Sequence, residues 1–477
     1  MKKPKILLIF SHLPKGIMTW PRIDYDYEKK IKEILKNLNK KLQNLDFIAT
    51  VVHNTKEAEG ILSEHDKVDG IVNYIIGIWT GAPNVIARSG KPVVLVNDVI
   101  GGSGEFLTTY ASARNEGFPV IGTASSNFED IVKLIKLFRV KKRFSEAKIL
   151  VISDIPWERR RKEMKYVFPH AEELFGPLVR NLDIQADRIK ELFGIKILGI
   201  SYEELHNIYK VVSDIIAENI ADNWIGEALR VVEPTREEII KSAKMYLAIN
   251  KVMTAKEADA VTIDCYGQIS KVADKEPNIG KLDAFPCLAL FQLNNEGKTA
   301  VCEVDLSSSL TQLLVRFLAE ENTGRSLPGF VNDPIIDTSL GRIIYAHCTA
   351  PNKAFSPIGP KNPYIIRSHA EARQGASIQS LMPVGEKITV AQLHFLDKPT
   401  IVIHQGKTVS NEDIEEGCRT KIAAKVNANR IMENWNLNIK NFAAPAYWHR
   451  NLFFGDWKEQ LINLATLIGL NVIEEDK

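Results

Sequence analysis

Four short segments hold the residues best suited to chemistry. They are Val301-Cys302-Glu303-Val304-Asp305-Leu306, Phe330-Val331-Asn332-Asp333, Tyr345-Ala346-His347-Cys348 and Tyr447-Trp448-His449-Arg450. Each sets a carboxylate or an imidazole among apolar or aromatic neighbours, a pattern that implies burial. A buried carboxylate or imidazole is costly unless it is paired or bound to a metal. Two carboxylates with one or two imidazoles suit a hard or borderline divalent ion such as Mn²⁺. The segments therefore predict a metalloenzyme rather than a binding module alone. Read singly they say less: Glu303 by itself is the pattern of a salt-bridged surface glutamate, and His347 that of a hydrogen-bonded core histidine.

The elements that must position these residues follow from periodicity. If Ala300 to Leu306 is a strand, Glu303 and Asp305 share one side and Cys302 and Val304 the other. The same alternation separates His347 from Cys348. The thiols are thus expected to pack away from the polar side as small core residues. All five cysteines (Cys265, Cys287, Cys302, Cys348, Cys418) fall in the second half of the chain. An odd count with no CxxC pair argues against a disulfide framework and against a thiolate zinc site.

A length of 477 residues accommodates two or three domains, at roughly 100–200 residues each. Residues 1–145 read as strands alternating with helices: a strand over Lys5 to Phe10, a charged amphipathic helix over Asp26 to Leu42, a strand over Asp46 to Val52, and short apolar runs at Gly70 to Ile76 and Pro92 to Val96. That alternation predicts a mostly parallel sheet covered on both faces. The cluster Gly101-Gly102-Ser103-Gly104 fits neither a dinucleotide fingerprint nor a P-loop, and reads equally as a turn or a ligand loop. Residues 146–285 open a second α/β unit, with strands at Lys148 to Ser153 and Lys196 to Ile200 and a long helix over Arg236 to Val252. Residues 286–477 change character: a helix over Pro286 to Leu293, then β-branched, alternating strands at Ile388 to Phe395 and Thr400 to Gly406. The expected fold class is α/β, two doubly wound N-terminal domains followed by a β-rich C-terminal domain that carries the metal site.

Composition excludes several classes. Lys plus Arg (61) exceeds Asp plus Glu (59) by only 2, so charge gives no argument for nucleic acid or an anionic membrane. The basic run Arg159-Arg160-Arg161-Lys162, flanked by Glu158 and Glu163, reads as a solvated helix face. No apolar run reaches the roughly 18 residues of a membrane span. The apolar run after Met1-Lys2-Lys3-Pro4-Lys5 is too short for a signal-peptide core. Cytoplasmic residence is the expectation.

Taken in order, Pro286-Cys287-Leu288-Ala289-Leu290, Cys302-Glu303-Val304-Asp305, Asn332-Asp333, His347-Cys348, Ile388-Thr389-Val390-Ala391 and Trp448-His449 resemble the L-fucose isomerase and L-arabinose isomerase superfamily. The likeness covers about the C-terminal 200 residues; the α/β architecture upstream, Rossmann-like in kind, is compatible with it. The resemblance implies a fucose isomerase-like fold and an aldose–ketose isomerase acting on an open-chain sugar through a cis-enediol. It implies a Mn²⁺ site of Glu303, Asp333, His347 and His449, with Glu303 and Asp333 also the acid/base pair. Asn332 is the neighbour that could take the second acidic register instead of Asp333. The chain departs from the family in carrying Trp448-His449 where two adjacent histidines are frequent. Gln312, Arg367, His369, Gln392 and Trp448 are candidates for sugar contacts, each equally compatible with a structural role. A homo-oligomer, a hexamer, is implied as well, with N-terminal loops covering a neighbour's site. The competing readings are a non-catalytic sugar-binding protein on the same scaffold, an epimerase, and a metal-dependent hydrolase, the last lacking any HExxH-type cluster.

Overall fold

The computed structural model describes residues 2–153, 182–265, 282–439 and 448–477. The basic run at 159–162 and Tyr447 lie outside the described residues. The chain forms two compact units, residues 1–143 with 459–471, and residues 144–458 with 472–477.

In the first unit the apolar runs build a parallel sheet. β1 (Lys5–Ser11), β2 (Asp46–Val52), β3 (Gly70–Ile75), β4 (Val93–Asn97) and β5 (Val120–Thr123) lie in the order β2-β1-β3-β4-β5, every pair parallel. β3 and β4 are buried along their whole length and β1 beyond Lys5, as strands covered on both faces must be. The helices Tyr27–Lys41, Thr55–Glu64, Ala82–Ala87 and Ser103–Asn115 follow the first four strands in turn. Two of them start on side-chain caps, Asp26 accepting from the Lys29 N–H and Asn54 from the Glu57 N–H, which satisfies donors a helix start would otherwise leave open. The order reverses between β1 and β3, the switch point of a doubly wound sheet. The glycine cluster has a packing cause there. A Cβ on Gly102 would sit 2.3 Å from Asn97 Oδ1 and 2.8 Å from the Ile75 carbonyl, and one on Gly101 would sit 2.4 Å from the Ile76 carbonyl. Only glycine permits that approach.

The second unit begins with a four-stranded parallel sheet. β6 (Lys148–Ile152), β7 (Lys196–Ile200), β8 (Ala260–Ile263) and β9 (Thr299–Cys302) are ordered β7-β6-β8-β9. The helices Arg236–Lys256 and Cys287–Asn295 share its apolar core through Ile239, Ile249, Leu288 and Phe291. β10 (Phe330–Asp337) and β11 (Arg342–His347) open a run of antiparallel pairs. β12 (Tyr364–Arg367) and β13 (Ser377–Ser380) form a ribbon of their own. β14 (Lys387–His394), β15 (Thr400–Asn411), β16 (Thr420–Lys425) and β17 (Arg450–Phe454) join β10 and β11 in the order β14-β17-β10-β11-β16-β15. β14 and β15 also pair with each other, so the six strands close into a barrel and leave no open edge between them. β18 (Asn471–Glu474) continues from β15. Phe330, Ile343, Tyr345, Ile388, Val390, Ile422 and Leu452 form the apolar core of this region. The β-rich C-terminal region expected from the sequence is thus an antiparallel barrel that follows the parallel α/β sheets in chain order. Among the described residues no helix is long and apolar enough to cross a membrane.

One helix links the parallel sheet to the barrel. Leu306–Thr323 follows β9 and lies against β14 and β17, buried from Leu306 through Ala319. Its first turn fixes the geometry described next.

Candidate metal centre

β9 stops at Cys302, and the chain turns sharply. Glu303 (φ 64°) and Val304 (φ 53°) both occupy the left-handed region. That conformation costs a non-glycine residue on the order of 1–3 kcal/mol, and a β-branched residue is an outlier in it. Asp305 then caps the helix Leu306–Thr323, its Oδ1 accepting from the Ser308 N–H at 2.9 Å. The strand expected over Ala300 to Leu306 is therefore corrected: alternation ends at Cys302, and two left-handed residues aim Glu303 and Asp305 in its place.

The expectation that both thiols turn away from the polar side also needs correction, for one of them. Cys348 does pack among Phe285 and Cys287. Cys302, however, places Sγ 3.6 Å from each ring nitrogen of His347. β9 and β11 belong to different sheets, so parity along either strand does not determine which side chains of the two meet. All five cysteines are free.

Asp333 comes from β10, His347 from the end of β11 and His449 from the residue before β17. Antiparallel pairing sets Asp333 opposite Ala346, one residue from His347, and Asn332 opposite Arg450, one residue from His449. These registers bring all three side chains to Glu303. His347 Nε2 lies 3.5 Å from Glu303 Oε1 and 4.0 Å from Asp333 Oδ2. His449 Nε2 lies 3.7 Å from Glu303 Oε2 and 3.3 Å from Asp333 Oδ1. The two imidazole rings meet edge to face, centroids 5.6 Å apart. Asn332 instead turns its amide to the Phe330 carbonyl at 2.9 Å, so Asp333 is the one that faces the cluster.

Electrostatics bind the four groups together. Burial works to raise the Glu303 carboxyl, but its hydrogen bond with His347 and the charge of His449 outweigh burial and hold it below the usual range. Burial likewise opposes ionisation of Asp333, and the charge of His449 beside it prevails. Burial would lower both imidazoles; Asp333 and Asp305 instead push His449 well up, and Glu303 and Asp333 raise His347. The set is thus mutually stabilised only with extra protons on its imidazoles, and protons so held are what a divalent cation replaces on binding. His449 Nε2 is buried and makes no hydrogen bond. An orphaned ring nitrogen facing two carboxylates fits a metal of the N/O class. Asp333, His347 and His449 each offer a donor atom within 4.8 Å of the others.

Behind the four lies a supporting layer that alternation does not disclose. Asp305 Oδ2 sits 2.9 Å from His449 Nδ1. Asn451, two residues on, donates to Gln392 Oε1 at 2.6 Å and to Ser308 Oγ at 3.0 Å, and accepts from Gln312 Nε2 at 2.8 Å. Gln312 and Gln392, candidates for sugar contacts, thus meet at Asn451 beneath the helix cap. Arg367 is held by Glu233, with Nη2 at 2.6 Å, and by Glu415 at 3.1 Å. His369 stacks near Phe285, ring centroids 5.3 Å apart, and its Nε2 is 4.0 Å from Glu371. Trp448 reaches the cluster directly: its Nε1 donates to Asp333 Oδ1 at 2.8 Å, and the residue is 41% exposed. Asp305, Cys302 and Asn451 are the residues that sequence reasoning did not assign to the site.

No family model matches the chain. It is similar to two sulfoquinovose isomerases. Those of Priestia aryabhattai and of Priestia megaterium (strain ATCC 12872 / QMB1551) are each 22% identical over 449 residues, covering 88% of this chain and 89% of the relative. Among solved structures, an ABC transporter periplasmic solute binding protein from Actinobacillus succinogenes 130z with bound D-allose aligns at 15% identity, covering 67% of this chain and 92% of that one, with a TM-score of 0.16. A two-component system response regulator/GGDEF domain protein aligns at 12% identity over 67% of this chain and all of that one, with a TM-score of 0.27. Superpositions at those scores carry no argument about this fold.

Proposed function

We propose that this protein is a metal-dependent sugar isomerase that interconverts an aldose and a ketose through a cis-enediol of the open-chain sugar. The observation that carries this reading is the meeting of Glu303, Asp333, His347 and His449 with four carboxylate–imidazole separations of 3.3–4.0 Å. Similarity to proteins named sulfoquinovose isomerase across 88% of the chain supports the choice of a sugar as substrate.

Glu303, Asp333, His347 and His449 would hold Mn²⁺, which when bound acts as a Lewis acid toward adjacent sugar oxygens. The proton chemistry falls to the two carboxylates. One takes the proton from C2 and returns it at C1, while the hydroxyl proton of O2 passes to O1, so the aldose becomes a ketose with no net gain or loss. A carboxylate that coordinates tightly is a poor base, so at least one of the pair would have to engage a bound cation loosely to serve in proton transfer. Asp333, 39% exposed at its side chain against 16% for Glu303, is the freer of the two. Trp448 holds Asp333 by its indole N–H and leaves a ring face for the sugar. The working assembly is a homo-oligomer, a hexamer, with N-terminal loops covering a neighbour's site.

The test is ketose formation from a panel of aldoses that includes sulfoquinovose. Metal-stripped protein is assayed with and without Mn²⁺, beside Glu303→Gln and His449→Ala. Metal-dependent product that vanishes in both variants is expected. Sugar-dependent thermal stabilisation without turnover on any sugar would replace this reading with that of a sugar-binding protein.

A further inference from the structure

His449 is held at two ends. Asp305 meets its ring at Nδ1, and its carbonyl accepts from the Arg450 Nη1–H at 2.9 Å. The rest of that guanidinium is gripped by other parts of the chain. Nη2 donates to Glu475 Oε1 at 2.5 Å and to Asn436 Oδ1 at 3.0 Å, and Nε reaches Glu475 Oε2 at 3.3 Å. The Trp435 ring covers its face, with the ring centroid 3.6 Å away. We infer that Glu475 is a positioning residue for the proposed metal centre: through Arg450 it fixes the main chain of His449, so the segment after β18 sets how tightly the centre holds a cation.

Arg450 and Glu475 are both fully buried. Desolvating such a pair is costly, and apolar residues of similar volume often serve stability as well or better. What the pair supplies is direction. A guanidinium is a rigid planar fork. Once Glu475 and Asn436 fix Nε and Nη2, Nη1 has one direction to point, and the His449 carbonyl lies there. Glu475 is itself fixed: its N–H donates to the Ile403 carbonyl at 2.9 Å, its carbonyl accepts from Asn434 Nδ2 at 3.3 Å, and its Oε2 meets His404 Nδ1 at 2.9 Å. Charge acts in the same sense. The carboxylate offsets a guanidinium one residue from a proposed ligand, where an uncompensated positive charge would repel an incoming divalent ion. The effect on a cation rests on the metal reading proposed above; the hold on the His449 main chain does not.

The test uses the metal-stripped full chain and two readouts, Mn²⁺ affinity by electron paramagnetic resonance and backbone amide exchange by mass spectrometry. Glu475→Gln should weaken Mn²⁺ binding about tenfold, as loss of an outer-layer partner does, and should speed exchange around His449 and Arg450 before any metal is added. Asn436→Gly, which keeps the left-handed backbone of Asn436 (φ 52°) and removes one grip on Nη2, should move both readouts the same way by less. Tyr345→Phe is the control: it cuts the same buried network beyond His404 and should leave both unchanged. Coupling is reciprocal, so Mn²⁺ should slow exchange in residues 472–477 of the wild type. Near-ultraviolet circular dichroism confirms folding, and Asn436→Gly decides if Glu475→Gln does not fold. Folded variants with wild-type affinity and exchange overturn the inference, as does an equal loss in Tyr345→Phe, which would make the effect one of barrel stability. A wild type that holds no Mn²⁺ removes the metal reading instead, and metal-free exchange alone then decides whether Glu475 holds His449.

Discussion

Asp305 Oδ2 lies 2.9 Å from His449 Nδ1, with both residues buried. An ionised carboxylate only accepts, so the Nδ1–H donates to it and Nε2 is the ring nitrogen turned to Glu303 and Asp333, the one whose proton a cation would replace. Burial opposes the Asp305 charge, but the bond to His449 and the Ser308 N–H outweigh it and keep the carboxyl ionised. The helix Leu306–Thr323 adds its N-terminal dipole to the same end. A carboxylate orienting a ligand imidazole through its far nitrogen is the arrangement that fixes tautomer and ring angle in metal sites.

Asp305→Asn therefore tests positioning without removing a ligand. Asparagine still caps a helix well, so thermal unfolding should shift little. The amide is a weaker acceptor and does not enforce the tautomer, so Mn²⁺ affinity should fall by about 10–100-fold. A Mn²⁺ titration followed by electron paramagnetic resonance decides it; unchanged affinity would leave Asp305 as a helix cap only.

Asp333 and its neighbour Asn332 should separate activity from stability. Asp333 is the more exposed of the pair and faces the cluster, so Asp333→Asn should fold normally and lose about 100-fold or more in turnover, the usual size of an acid/base contribution. Asn332 is fully buried and bonds the Phe330 carbonyl. Asn332→Ala should cost about 1 kcal/mol of stability and leave the folded protein's turnover within a few-fold. The opposite pattern in paired activity and urea-unfolding measurements would give the acidic role to the neighbouring position.

Glu303, Asp333, His347 and His449 were legible because each puts a charged or imidazole side chain inside an apolar run, and such residues need partners wherever they end up. Asp305 was not, since its role depends on Glu303 and Val304 being left-handed. A valine there runs against every local preference, and no periodicity announces it. Cys302 was missed because parity was counted along β9 while its partner sits on β11, in another sheet. The barrel's strands were visible as alternating runs, and the β14–β15 pair is local. Its closure is not: β17 pairs with both β10 and β14, and loop closure over such separations leaves no mark in a short window. Gln312 and Gln392 read as sugar contacts because the sequence does not show Asn451, 139 and 59 residues away, meeting both.

Arg367 offers a test between a substrate contact and a structural ion pair. Its guanidinium joins Glu233 and Glu415, and Arg419 joins the same two glutamates. Glu233 is partly buried; burial would raise its carboxyl, but Arg367 and the Ser368 N–H hold it below the usual range. Arg367→Met should lower stability by about 1 kcal/mol at most, because Glu233 keeps Arg419 and the Ser368 N–H as partners, with KM for the sugar unchanged. Lysine cannot reproduce the forked contact, so Arg367→Lys should recover only part of the loss. A KM raised tenfold in a variant of unchanged melting temperature would make Arg367 a sugar contact instead.

Acid stability should be set in part by Glu475. It is fully buried against Arg450, Oε1 to Nη2 at 2.5 Å, and against His404, Oε2 to Nδ1 at 2.9 Å, whose Nε2 in turn meets the Tyr345 hydroxyl at 2.8 Å. Burial alone would raise this carboxyl; Arg450 and His404 overcome it and hold it down at about 2. An unfolded glutamate titrates near 4.3. The folded value is the lower one, so the unfolded chain binds the extra proton first as pH falls. The stabilisation is complete above the unfolded value and is lost as pH drops from there toward about 2, a swing on the order of 3 kcal/mol. In Glu475→Gln two things should change together. Stability at pH 7 should fall by about 3 kcal/mol, because the buried Arg450 charge loses the Glu475 carboxylate that faces it. The remaining stability should then depend less steeply on pH over the acid window. Urea unfolding at several values between pH 7 and the acid limit measures both, and a variant whose acid slope matches that of the wild type would show that the proton uptake belongs to other carboxylates.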